Sequence, residues 1–141
     1  MNKTNKCVMV CVTPQETCAG LIEAGKITAE TLNQKLVIVS VIGTKYQNNI
    51  DQLNYLYECV EKSGAELKLY FNNEPSITAA VIAKRINAGN IITGFPGIDG
   101  GAFIPTLHDL VPDIPISMVD ENKTVYRMLP IEKEPVNSVS V

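Results

Sequence analysis

Tryptophan is absent from this chain, histidine occurs once, at His108, and no two cysteines are spaced as a C-x-x-C pair. Each shortage removes a class of function. A flavin site wants aromatic faces over its ring, and with aromatics at 6% and no tryptophan the chain serves it poorly. A structural zinc site needs more thiolate and imidazole partners than Cys7, Cys11, Cys18, Cys59 and His108 supply. Receiver phosphorylation wants an acidic cluster after the first strand, where this chain has Thr13-Pro14-Gln15-Glu16. Catalysis by a nucleophile, base and orienter is not visible either. Asp109 adjoins His108 on an expected helix, so the two side chains point in different directions and the chain is read as no enzyme.

Positive charge is also scarce and scattered. Lysine and arginine number 12 against 15 acidic residues, a net charge of −3, and the sequence pI is 5.1. No basic stripe exists for nucleic acid. The longest apolar runs, Cys7 to Val12 and Leu36 to Ile42, fall far short of the roughly 20 residues that span a bilayer, so no membrane segment is expected. Lys3 and Lys6 precede an apolar run, but Thr13-Pro-Gln-Glu16 follows it in place of a small-x-small cleavage site, which predicts a first strand in a cytoplasmic protein. The four cysteines then read as free thiols, because Cys7 and Cys11 share a strand face too far apart to bridge.

What is present is one domain's worth of apolar residues, 45% of 141. A single domain over 1–141 is expected, with its core at about 6–128 and a loose tail at 130–141. Cys7 to Val12 and Lys35 to Ile42 are continuous apolar strands, as in a parallel sheet buried on both faces. Cys18, Ile22, Gly25, Ala29 and Leu32 step by four and three, which predicts a helical face; Ile50, Leu53, Tyr57 and Val60 predict a second, closed by Gly64. Glu66 to Phe71 reads as a strand nearer an edge. A third helix runs from an Asn73 cap and Pro75 through Ala79, Ile82, Ala83 and Ile86 to a stop at Gly89-Asn90. Strand four (90–94), a helix over 102–111 closed by Pro112, strand five (115–119) and a hairpin arm at 124–128 complete the order. The alternation predicts a three-layer α/β/α sandwich with right-handed crossovers, Rossmann-like, and the expected architecture is a five-stranded parallel sheet in an order such as 3-2-1-4-5 with a C-terminal hairpin.

Strand four runs into Thr93-Gly-Phe-Pro-Gly-Ile-Asp-Gly-Gly101, where Gly94, Gly97, Gly100 and Gly101 leave the backbone as the functional group. Converging N–H groups of such a turn can hold an anion, and a helix after it points its positive end there. The spacing matches neither a Walker loop nor the Gly-x-Gly-x-x-Gly fingerprint. In the expected order the switch point lies between strands one and four, so Thr13 and Pro14 share a crevice with this loop. Asp99, Lys45 and Tyr46 are further candidates for ribose, metal, base or phosphate contacts.

These pieces resemble the universal stress protein family over roughly residues 6–128. The resemblance rests on Val8-Met-Val-Cys-Val-Thr-Pro14, Lys35 to Ile42, Gly94-Phe-Pro-Gly97 and Pro115-Ile-Ser-Met-Val119, and the Val-Cys-Val-Thr-Pro turn is similar to the corresponding module of potassium-sensing histidine kinases. It implies an adenine nucleotide α-hydrolase-like fold, binding of ATP, AMP or a related nucleotide, or a signalling and interaction role, with dimers paired through their last strands. It also implies that the residue closing strand two, Val41 or Ile42, meets adenine through its backbone. The family's nucleotide-binding form has an acidic residue where Thr13 stands, and a glycine followed by a hydroxyl residue where Leu107 and His108 stand. An incomplete phosphate motif implies weak or lost ATP binding in a dimeric signalling module; the alternative is a sensor of ATP, AMP or a cyclic dinucleotide that uses Thr13, Pro14, Val41, Gly94, Gly97, Gly100 and Gly101.

Overall fold

The computed structural model describes residues 5–13, 18–43, 50–95 and 101–128. Along them run β1 (Cys7–Cys11), α1 (Cys18–Leu32), β2 (Lys35–Ile42), α2 (Ile50–Ser63), β3 (Glu66–Phe71), α3 (Pro75–Arg85), β4 (Ala88–Gly94), α4 (Phe103–Leu110), β5 (Ile116–Val119) and β6 (Val125–Met128). The strands form one sheet in the order β3-β2-β1-β4-β5-β6. Five of them are parallel, as crossovers through helices require, and β6 returns antiparallel to β5.

β1 lies at the centre because every one of its positions is apolar and buried. Alternation along the strands divides the interior into two cores. Met9, Val37, Ile91 and Ile116 face Ala79 and Ala83 of α3 and Ile104 and Leu107 of α4. Val8, Val10, Leu36, Ile38 and Ile92 face Ile22 and Ala29 of α1 and Leu56 and Val60 of α2. Full burial of one such aliphatic side chain contributes about 1.5–3 kcal/mol.

The sheet has six strands and is mixed, because β6 joins its edge and covers the flank of β5. On α2 the buried stripe runs through Leu56 and Val60; Tyr57 is 50% exposed and Ile50 67% exposed. A tyrosine at the helix flank keeps its hydroxyl wet, so the purely apolar Leu56 takes the core position. Leu32, the last residue of α1, is exposed beyond the reach of the sheet. Asn73 is not the cap of α3. That position is Glu74, preceded by a turn in which Asn72 Oδ1 accepts the Glu74 N–H at 2.7 Å, while Pro75 takes the first-turn place where its missing N–H is harmless. α3 stops before Gly89, at an Asn87 with φ of 59°, and Gly89 and Asn90 belong to β4. α4 is shorter by one residue at each end than expected. Pro115 stays outside β5, since it has no N–H to donate, although its carbonyl accepts the Ile91 N–H at 3.0 Å. The expected tail at 130–141 lies outside the described residues.

Candidate functional site

Register places the carboxyl ends of the central strands side by side. Cys11 pairs with Val39 on one flank and Thr93 on the other, and the Val12 N–H donates to Val39 O at 2.9 Å. Two residues further along, Thr13 leaves β1 next to Val41, and Gly94 ends β4 beside Val12, each one strand spacing (about 4.8 Å) apart. Thr13 is exposed, while Val41 and Gly94 are half-buried. β1 leads to α1 on one face of the sheet and β4 to α4 on the other, so a topological switch point lies between these two strands, the place where open α/β sheets form a crevice. The predicted switch point is therefore present. Gly101 is exposed just before α4, with nothing within 4 Å of where its Cβ would stand. Pro14, Gly97 and Gly100, together with Asp99, Lys45 and Tyr46, lie outside the described residues.

A Cβ on Gly94 would meet Leu21 Cδ1 of α1 at 3.6 Å, an ordinary contact, so the residue marks the line between the crevice and the α1 layer. α4 opens on Ala102, directly after Gly101, with no side-chain cap for its first-turn N–H groups. Ser76 Oγ of α3 donates to Phe103 O at 3.3 Å and ties the starts of the two helices together.

Several supporting residues were missed from sequence. Phe95 follows β4 directly; its N–H donates to Val119 O at 3.0 Å, and its ring packs on Tyr126 of β6 with centroids 4.6 Å apart and planes tilted by 33°. Tyr126 Oη in turn donates to Asp120 Oδ2 at 3.4 Å. The hairpin thus anchors the first residue of the glycine-rich segment, a role visible only once β6 is known to lie against β5. Truncating Tyr126 to alanine is expected to lower stability in urea by about 1 kcal/mol through loss of the ring pair, and Tyr126→Phe by less than about 0.5 kcal/mol, because the exposed hydroxyl contact is long. A second missed residue is Ser40. It is wholly buried one position before Val41, and its Oγ has no hydrogen-bond partner. A single hydroxyl inside Leu36-Val-Ile-Val-Ser-Val-Ile42 was the available signal.

Cys11 lies under the crevice, where burial pushes its thiol up to about 12, so it stays protonated at neutral pH and is no nucleophile. His108 is half-buried on α4, its Nδ1 enclosed and without a partner. Among the described residues no three His, Cys, Asp or Glu side chains converge as a metal site, and no helix is long and apolar enough to cross a membrane.

No protein-family model and no curated protein matches the chain. Solved structures do. A universal stress protein from Archaeoglobus fulgidus is similar with a TM-score of 0.59 at 15% identity, over 79% of this chain and 90% of that one. A universal stress protein in complex with cAMP aligns with a TM-score of 0.56 at 13% identity, over 74% of this chain and 90% of that one. The Archaeoglobus fulgidus protein in complex with dAMP gives 0.53 at 16% identity, over 72% and 88%. At these identities the likeness establishes the fold, which is that of the universal stress proteins.

Proposed function

We propose that this chain, sharing the fold of the universal stress proteins, is a dimeric signalling module of the cytoplasm that binds an adenine nucleoside monophosphate in the crevice between β1 and β4. The observation that carries the reading is the switch point itself, where Thr13, Val41 and Gly94 emerge together at the carboxyl edge of the sheet. Adenine is held at the edge of Val41 through backbone N–H and C=O groups, and one phosphate is met by backbone donors at Gly94, Gly101 and the uncapped start of α4. Support for one phosphate comes from two sides. Leu107 and His108 stand where the resemblance implies a glycine and a hydroxyl, and two of the structural neighbours are in complex with cAMP and dAMP. ATP is thus the weaker ligand. The protein acts by holding the nucleotide, not by turning it over.

The dimer in this reading forms through the outer edge of β6. β6 is the last strand of the described sheet, and the unpaired backbone of such a strand is a template for a second copy. Cys7 and Cys11, buried and in no disulfide, fit a reducing compartment.

Calorimetric titration with AMP, cAMP, dAMP and ATP tests the assignment, using the wild-type chain and Gly94→Val. AMP is expected to bind with a dissociation constant of about 10–100 μM and ATP about tenfold more weakly, with AMP weakened at least about tenfold in the variant. Circular dichroism should show the variant folded, since the Cβ at Gly94 meets only an ordinary contact. Tighter binding of ATP than of AMP would overturn the single-phosphate reading. Absence of any nucleotide binding at millimolar concentration would leave the interaction role alone, read by sedimentation as a dimer that a Tyr126→Arg substitution dissociates.

A further inference from the structure

At the opposite end of the strands, the amino-terminal ends of β1, β2 and β3 and the carboxyl ends of α1 and α3 border an open cavity of about 630 Å³. That volume lies within the range of small-molecule sites, roughly 300–1,000 Å³. Its charge runs against that of the molecule. The chain carries −3 overall, yet Lys6, Lys35 and Lys68 border this cavity against one carboxylate, Glu66.

The lysines are arranged around that carboxylate. Glu66 Oε1 lies 2.9 Å from Lys35 Nζ, and Glu66 Oε2 lies 2.9 Å from Lys68 Nζ. Hydrogen bonds from Lys35 and Lys68 hold the Glu66 carboxyl below its usual range, so it remains charged. Each ammonium has three donors and uses one on Glu66, which leaves two apiece for a ligand. With the Lys35 side chain 67% exposed and Glu66 42%, the pairs add little stability; their consequence is to fix two ammonium groups near each other.

Helix termini do not account for this cluster. α1 ends in a Schellman turn in which Asn33 has φ of 55°, its N–H donates to Glu30 O at 3.2 Å, and the Gln34 N–H donates to Ala29 O at 2.8 Å. The helix-end carbonyls therefore have backbone partners already, and the lysines sit on strand starts. The Gln34 side chain is left over. Its Oε1 is buried at the cavity wall with no hydrogen-bond partner, an acceptor that wants a donor. Val37, Ile86 and Cys7, whose thiol donates to Ile86 O at 3.4 Å, supply an apolar side.

We propose that this cavity is a second small-molecule site, taking a hydroxylated phosphate monoester of pentose- or hexose-phosphate size. Its dianionic phosphate matches the surplus of two positive charges that three lysines leave over Glu66, and lies against Lys35 and Lys68 with Lys6 closing the rim. A hydroxyl of the ligand donates to Gln34 Oε1, and its carbon skeleton rests on the half-buried Ile86. The site is independent of the nucleotide crevice, which lies at the other end of the strands.

Titration of the full chain at low salt with ribose 5-phosphate, inorganic phosphate and ribose tests the assignment. The ester is expected to bind with a dissociation constant of about 0.1–1 mM, inorganic phosphate about tenfold more weakly, and ribose not measurably. Lys68→Ala should weaken both anions about tenfold, while Gln34→Leu should weaken the ester and spare inorganic phosphate. Gly94→Val should leave all three unchanged, which separates this site from the crevice. Equal binding by wild type and Lys68→Ala, or inorganic phosphate as tight as the ester, would overturn the proposal. So would loss of the ester in Gly94→Val.

Discussion

Gly25→Val is expected to destabilise the protein by about 4 kcal/mol or more, and Gly25→Ala by about 1–2 kcal/mol, as read from urea denaturation midpoints. Two effects oppose each other at this site. Alanine in a helix interior is favoured over glycine by about 1 kcal/mol. Against that, a Cβ built on Gly25 would fall on Val10 Cγ2 and stand 3.1 Å from Leu36 Cδ1. Val10 is fully buried in the central strand and β-branched, so it has no rotamer to retreat into, and Leu36 is buried beside it. Overpacking therefore wins, and valine, with two more carbons and poorer helix propensity, fares worse. The cause can be isolated with a second substitution. Val10→Ala removes the atom that the new methyl meets, so Gly25→Ala combined with Val10→Ala should be more stable than the sum of the single changes by about 1–2 kcal/mol. A Gly25→Ala protein more stable than wild type would mean that α1 does not approach β1 as closely as described.

Periodicity made the sheet legible because parallel strands buried on both faces read as unbroken apolar runs. Lys35 to Ile42 and Glu66 to Phe71 are the strands β2 and β3 to the residue, and the parallel direction of the first five strands follows from alternation with helices. Two kinds of feature stayed out of reach. The first is the choice between neighbours on a helix, as at Leu56 and Tyr57, which depends on how the helix is rolled against the sheet and on the tyrosine hydroxyl. The second is any contact made by distant chain segments. Phe95 against Tyr126 needs the hairpin to lie back on the sheet edge, and the cavity of Lys6, Lys35 and Lys68 needs three strand starts to line up. Here a faint signal existed, since each of those lysines sits at or within two residues of a strand's first position. The candidate nucleotide residues fall between these cases: Thr13, Val41 and Gly94 leave neighbouring strands at the carboxyl end of the sheet, whereas Pro14, Gly97 and Gly100 lie outside the described residues.

Between pH 9 and 12 the protein should lose stability by up to about 1.4 kcal/mol for each pH unit on account of Cys11 alone. The thiol is raised from 9.0 to about 12 by burial, so across that window the unfolded chain gives up its proton while the folded one keeps it. Fewer protons bound in the unfolded state means that stability falls as pH rises. The contribution is fully present below pH 9, lost progressively above it, and gone near 12, a total of about 4 kcal/mol. Cys7 shifts the same way, through burial that Lys35 partly offsets, so a Cys11→Ala chain keeps part of the alkaline slope. Lysine and tyrosine ionisation tilts both curves alike. The measurement is therefore the difference between wild type and Cys11→Ala, from urea midpoints at pH 7, 9, 10 and 11. Cys11→Ala should be the less stable chain at pH 7, by about 1 kcal/mol for the lost sulfur, and the gap should close and reverse by pH 11. Parallel curves would mean that Cys11 ionises while the protein is folded. A thiolate would then stand at the floor of the crevice, beneath Thr13 and Gly94, and a reacting site in place of a holding one would have to be considered there.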